Sequence, residues 1–454
     1  MAKKLWGGRF KKEIDKDFFK FQQSIFYDYR LAIYDILHSI AHVKTLYKSK
    51  ILTGNEFNKI FKALQEIDKE ISENDTKHIL EYNKINEIED IHTYIQERVE
   101  EKVGATLALK LHSLRSRNDQ IVFDEKQYCL AKVSEIRKVL LEFCKNLKDM
   151  SDKYKDLQFV GYTHTQRAQG ISLKTYLRAY MRMFLRDDTR LSNYYDNLFI
   201  YIGAGALTGS SLYKKDYNEA VKEMLKDFKK IKPLINSIDN VSDRDFIIEL
   251  LSVLSILQMH LSRLAEDLIL YSTKEFDFVD LPEEFCTGSS FMPHKKNPDF
   301  LELVRGHTGT IYGNLLSILT TMKGLPLTYN RDMQLDKGPL FSSVEIIKDE
   351  LKIMAKFINK IKFHTKIIDL ALHDKNLYAT KLADKLVRDY EVPFKNAHDR
   401  VGRFVRELEK KKGDFDKIDE KYILLLHPKL SKKEVKKIMS PIGKVKRIGN
   451  AISK

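Results

Sequence analysis

Phe246-Ile-Ile-Glu-Leu-Leu-Ser-Val-Leu-Ser-Ile-Leu-Gln-Met-His-Leu-Ser-Arg-Leu-Ala-Glu-Asp-Leu-Ile-Leu-Tyr271 is apolar on most sides of a helical wheel. A helix apolar all round belongs at the centre of a bundle. Long helix-periodic runs surround it, at 24–48, 121–150, 173–201, 301–322 and 344–372. Thr53-Gly-Asn-Glu56 reads as a turn leading into another run at 57–67. The first proline is Pro233, and a long stretch without proline favours helix, because proline removes a donor and clashes with the preceding turn. No alternating run is long enough to anchor a substantial sheet. The expected class is all-α, with a long central bundle.

Polar, helix-breaking islands separate the rods. They are Leu111-His-Ser-Leu-Arg-Ser-Arg-Asn-Asp-Gln120, Gly161-Tyr-Thr-His-Thr-Gln166, Val241-Ser-Asp-Arg-Asp245, Thr287-Gly-Ser-Ser-Phe-Met-Pro-His-Lys-Lys-Asn-Pro-Asp299 and Leu325-Pro-Leu-Thr-Tyr-Asn-Arg-Asp-Met-Gln-Leu-Asp-Lys337. Taken singly, a Ser or Asn here is as well explained as a helix cap. Five such islands together point to one composite site built from the ends of several helices. The 287–299 island is too long for a plain turn. Its adjacent hydroxyls, fixed positive charge and amide suit anion binding beside a proton transfer.

Composition narrows the class. The 454 residues are 43% hydrophobic and 31% charged, which describes a soluble globular protein with room for two or three domains. No apolar run reaches the ~18 residues of a membrane span, and Met-Ala-Lys-Lys-Leu-Trp at the N-terminus lacks a signal-peptide core. Cys129, Cys144 and Cys286 are too scattered for a disulfide framework or zinc site, so a reducing, cytoplasmic compartment fits best. The net charge of +15 raises the question of nucleic acid. Residues 401–454 hold sixteen Lys/Arg against seven Asp/Glu, so most of the excess is a tail feature. Its lysines alternate with acids as solvated helix faces, without the interleaved aromatics of a single-strand platform. Neither a nucleic-acid nor a membrane partner is expected.

Gly288-Ser-Ser-Phe-Met-Pro-His-Lys-Lys-Asn-Pro298 matches the Gly-Ser-Ser-x-Met-Pro-x-Lys-x-Asn-Pro loop of the fumarase/aspartase superfamily. Within it the chain resembles the argininosuccinate lyases over roughly residues 3–400. Leu5-Trp-Gly-Gly-Arg-Phe10, Arg115-Ser-Arg-Asn-Asp-Gln120, Gly161-Tyr-Thr-His, Ser242-Asp-Arg-Asp245 and Tyr329-Asn-Arg-Asp-Met-Gln334 carry that resemblance. It implies a fumarase/aspartase-like all-α fold, a long bundle flanked by two smaller helical domains. The boundaries fall at 1–112, 113–365 and 366–454. The implied reaction is anti elimination of argininosuccinate to arginine and fumarate, without metal or organic cofactor.

The resemblance also implies roles. Ser289 corresponds to the proton-abstracting serine, and Ser290 is its fallback or a substrate contact. Lys295 and Asn297 would hold the reacting carboxylate and stabilise its developing charge. His164 corresponds to the acid-side histidine, with Glu302 as its carboxylate partner. Arg117, Asn118, Thr163 and Arg244 would bind the succinyl carboxylates. Tyr329, Gln334 and Lys337 would hold the arginine end, with Ser24.

Three departures stand out. Leu114 occupies a usual glycine position, Gly170 a usual proline position, and Ser440-Pro-Ile-Gly-Lys-Val-Lys-Arg447 matches the family tail loosely. The alternatives are an adenylosuccinate lyase-type enzyme of the same superfamily and a non-enzymatic, crystallin-like homologue. A helix of ~30 residues spans ~45 Å, so islands at different helix ends are expected to meet across subunits. The resemblance implies a homotetramer with shared sites.

Overall fold

The computed structural model describes residues 12–74, 77–212, 230–232 and 234–441. The motif at 5–10, Pro233 and the tail from 442 onward lie outside these. Five long helices dominate: Arg117–Lys153, Leu173–Asn197, Asp245–Ser272, Asp299–Met322 and Lys337–Ile358. The described strands form two-stranded pairs, so the all-α reading holds.

The chain divides into two compact units. Of the described residues, those within 1–139, 187–259 and 306–350 form the first, and those within 140–186, 260–305 and 351–454 the second. Each long helix gives one end to each unit. This is a different division from three consecutive segments, because a 37-residue helix passes through more than one neighbourhood.

In the first unit, the run at 24–48 is not one helix. It breaks into Ile25–Asp28, a 3-10 turn at Tyr29–Leu31, and Ala32–Lys48. The helix Gly54–Asn74 starts where the turn was expected. Thr53 N donates to Glu56 Oε2 at 2.9 Å, and Glu56 N donates back to Thr53 Oγ1 at 3.4 Å. That reciprocal cap satisfies two orphan amides. Ile60, Leu64, Ile67 and Ile71 then form its buried stripe at helical spacing.

The helix Asp245–Ser272 is apolar enough by length and composition to cross a membrane, but 61% of its most apolar window is buried, as in a core helix. It is not enclosed on every side. Ile256 and Met259 are half-buried. With Tyr312, Leu315, Leu316 and Leu319 they line an open apolar groove. Leu316 is 65% exposed. This face has the chemistry of an interface.

In the second unit, a hairpin joins Gln158–Thr163 to Gln166–Ser172. Phe159 anchors it among Tyr176, Tyr271, Phe278 and Phe363. The expected helix at 344–372 is interrupted. After Ile358 the chain extends, and Lys362–Phe363 pairs with Val279–Asp280 before Thr365–Leu372 resumes. Buried Ile361 and Phe363 flank exposed Lys362, the alternation of a strand inside a helical pattern. Gly170 lies in the hairpin's second strand near Leu372 and Tyr378, at an ordinary backbone angle. The described C-terminal helices bury stripes such as Ala397, Val401, Phe404 and Leu408, and their lysines face outward.

Candidate active site

Ser24, Arg117, Asn118, Tyr329, Gln334 and Lys337 converge on one cavity of about 250 Å³ in the first unit. Local structure places each. Ser24 opens the short helix after a bond from its N–H to Glu89 O at 2.9 Å. Its hydroxyl donates to Asp28 Oδ2 at 2.5 Å, and Asp28 Oδ1 accepts Ile91 N–H at 3.1 Å. Burial, reinforced by Asp90, pushes the Asp28 carboxyl up to about 7. Arg117 is the first residue of its long helix, with Nε 3.6 Å from Asp90 Oδ2. Gln334 Nε2 donates to Gln22 O at 2.9 Å. Arg331 joins the wall, bound to Glu89 at 2.9 Å.

Leu114 resolves one departure. It adopts φ +59°, the left-handed region that glycine prefers, so the loop keeps a glycine-like backbone despite the side chain. Its carbonyl accepts the Ser210 hydroxyl at 2.7 Å, which holds the turn closed.

Arg244 lies apart from these six. It does not line the cavity, and it is 1% exposed. Its Nε lies 2.5 Å from Asp336 Oδ2, and its NH1 donates to Asp243 O at 2.7 Å. A guanidinium committed in this way is not disposed to grip a carboxylate. Lys337 sits beside it, 2.8 Å from Glu125 Oε1 and 3.0 Å from Asp336 Oδ1. Burial works against the Lys337 charge, but the two acids outweigh it and raise its pKa. Burial and the neighbouring Asp336 push Glu125 up to about 7. Asp336, between two cations, stays below the usual range despite its burial.

The remaining expected residues lie in the second unit. Thr163 ends the first hairpin strand. His164 and Thr165 form the two-residue turn at φ +54° and +57°. That pair of angles belongs to a hairpin turn whose usual residues are Asn and Gly. The strain of two left-handed non-glycine residues at the tip, one of them the candidate acid, is typical of a functional position. Gly161 is required below it, since a Cβ there would lie 2.9 Å from Gln169 O.

The 287–299 loop closes on itself. Thr287 N donates to Asn297 O at 3.2 Å, Asn297 N to Thr287 O at 2.8 Å, and the Thr287 hydroxyl to Asp299 Oδ2 at 2.6 Å. Ser289 Oγ accepts two backbone N–H bonds, from Phe291 at 3.2 Å and Met292 at 3.0 Å. Asn297 Nδ2 donates to Gly288 O at 3.3 Å. The two lysines differ. Lys296 Nζ is tied to Asp280 at 2.9 Å, whereas Lys295 has no side-chain bond among the described residues. Ser290 is exposed. Among the described residues, no hydrogen bond or ion pair joins Glu302 to His164.

Among the described residues, Asp35, His92 and Asp124 form a buried group with ligand atoms within 4.8 Å of one another. His92 Nδ1 lies 3.1 Å from Asp35 Oδ1, which accepts Gln120 Nε2 at 2.7 Å. Neither ring nitrogen of His92 has a hydrogen-bond partner among the described residues, and both Asp124 carboxylate oxygens are likewise unpartnered. Asp28, Asp90, Glu125, Asp336 and Arg331 were not singled out from the sequence. The signal available was spacing: Asp28 follows Ser24 by one helical turn, and Asp336 precedes Lys337 directly.

The chain matches the lyase family over residues 8–313 and the argininosuccinate lyase C-terminal family over 376–446. It is 46% identical to an argininosuccinate lyase of Caldanaerobacter subterraneus subsp. tengcongensis over 403 residues, 88% of each chain. It is 43% identical to one of Legionella pneumophila subsp. pneumophila, covering 92% of this chain and 99% of that one. Among solved structures, a class II fumarase from Schistosoma mansoni shares the fold at TM-score 0.72 and 17% identity, over 90% of each chain. A fumarate lyase:delta crystallin from Brucella melitensis does so at 0.75 and 16%, over 92% of this chain and 91% of that one. Sequence, fold and C-terminal region agree, and the chain belongs to the argininosuccinate lyase family.

Proposed function

We propose that the chain is a carbon–nitrogen lyase that splits argininosuccinate into L-arginine and fumarate. The observation that carries this is the convergence of Ser24, Arg117, Asn118, Tyr329, Gln334 and Lys337 on one cavity. In this reading Lys337, Tyr329, Gln334 and Ser24 hold the arginine end, and Arg117 and Asn118, with Thr163, hold succinyl carboxylates. Ser289 removes the proton beside the reacting carboxylate. A serine hydroxyl is a weak base, and an oxygen already accepting two N–H bonds is in a setting that favours its anion. Lys295 and Asn297 stabilise the charge that builds on the carboxylate, with Ser290 beside them. His164 delivers the proton to the departing guanidino nitrogen. Its partnership with Glu302 belongs to the assembled protein in this proposal.

The assembly is a homotetramer with shared sites, and the open groove of Ile256, Met259, Tyr312, Leu316 and Leu319 supports association of copies. The free cysteines fit a cytoplasmic location. The C-terminal family match at 376–446 favours argininosuccinate over adenylosuccinate. Purified protein mixed with each compound in turn decides the matter through the absorbance of released fumarate. Release from argininosuccinate is expected. Release from adenylosuccinate alone, or from neither, rejects the reading.

A further inference from the structure

Lys337 lines the cavity yet is 3% exposed. An ammonium so buried is strongly disfavoured unless it is well paired. Glu125 and Asp336 both lie within 3.0 Å of its Nζ. Two carboxylates around one ammonium would leave this end of the cavity with a net negative charge. On the function proposed above, the α-carboxylate of the arginine moiety has to settle there.

Arg244 supplies the missing cation from behind. Its Nε is 2.5 Å from Asp336 Oδ2 and 3.6 Å from Glu125 Oε2. Its other end is fastened to the Asp243 carbonyl at 2.7 Å, and the Asp243 carboxylate takes Lys126 Nζ at 2.7 Å. Two cations and two anions therefore share one buried cluster. Arg244 contacts Asp336 on the oxygen opposite the one that Lys337 uses.

We infer that Arg244 is a positioning residue for recognition of the arginine end. By neutralising Asp336 from behind, it leaves the Lys337 charge available to an anionic group in the cavity. An ordinary buried ion pair would support the fold in the same place, so the test must separate charge balance from scaffolding. Arg244→Met leaves one excess negative charge. The double variant Arg244→Met/Asp336→Asn restores the balance while losing both packing partners.

The probes are L-arginine and fumarate, with binding measured by calorimetry at about pH 8.5, above the value of Glu125 in the native cluster, which Arg244 helps to hold down. Arg244→Met is expected to weaken L-arginine at least ~10-fold, the scale of an unpaired charge in a buried pair, and to leave fumarate affinity unchanged. The double variant is expected to recover most of the loss. In turnover, the single variant should raise KM more than it lowers kcat. Arg244→Lys keeps the charge and is expected to hold L-arginine within ~3-fold of the native protein. Equal losses for both ligands, no recovery in the double variant, or a tenfold loss in Arg244→Lys would overturn charge balance as the role. Should Arg244→Met fail to fold, the double variant and Arg244→Lys decide by the same criteria. A native protein that binds neither ligand contradicts the proposed function itself, and this inference falls with it.

Discussion

In the first unit Lys337 is 3% exposed and held between Glu125 and Asp336. In the second, Lys295 lies exposed on a loop and bonds to no described side chain. Both are assigned to anionic groups of one substrate, yet their surroundings are opposite. A buried, fully paired cation is preorganised, and its cost is offset within the fold. An exposed, unpaired cation does its work once water is excluded around it. On the proposed function, the cavity is the recognition half of the chemistry, and the loop and hairpin tip are the reacting half.

The largest expected effect tests the reacting half. Ser289→Ala should lower turnover by ~10³-fold or more, at the upper part of the range for a positioned base, while substrate still binds. Ser290→Ala beside it should be mild. If Ser290→Ala is the damaging change, the neighbouring hydroxyl is the base.

Lys295→Met should lower kcat by ~100-fold, the scale of one preorganised donor at a developing oxyanion. Lys296→Met should instead cost stability, because Lys296 is bound to Asp280. Similar kinetics from the two variants would break the distinction drawn between neighbouring lysines.

Stability against pH sharpens the description of the buried half. Burial pushes Asp28, Glu125 and Glu350 each up to about 7. The folded chain therefore takes up protons that the unfolded chain does not bind until about pH 4, and stability rises as pH falls from 8 toward 6.5. Burial and Arg115 hold His38, His42 and His112 below their ordinary value. Those groups bind protons only on unfolding, so they offset part of the gain below about pH 6.5, while Asp119 and Asp124, also pushed up by burial, extend it. Thermal melts should show stability near pH 6.5 a few degrees above that at pH 8. A steady rise from pH 5 to 8 would contradict the assignment of these groups as buried and shifted.

The smallest effect concerns Leu114. At φ +59° a leucine bears ~1 kcal/mol of strain that glycine would relieve. Leu114→Gly should raise stability by up to that amount, with activity unchanged. A loss of stability would show that the side chain contributes something its 49% exposure does not suggest.

The sequence made the rods legible because helical periodicity persists over many residues, as in Asp245–Ser272. It missed the hairpin at His164-Thr165, since no Asn-Gly pair marks the turn. It also missed the break after Ile358, where two alternating positions hide inside an apolar run. Site residues carried by the loop motif could be proposed from their chemistry alone. The surroundings of Arg244 were not legible, because a guanidinium beside a site and one inside a buried ion cluster look alike until Asp336 and Glu125 are placed around it.

The most direct test of the two-halves account mixes two inactive variants. His164→Asn and Ser289→Ala each remove one group of the reacting half. If copies of the chain share their sites, dissociating and reassembling the two together should restore about a quarter of native fumarate release, the share of sites that random mixing leaves with both native groups. Activity no greater than the sum of the separate variants would contradict sites in which His164 and Ser289 come from different copies, and with them this account of how the hairpin tip and the loop serve one reaction.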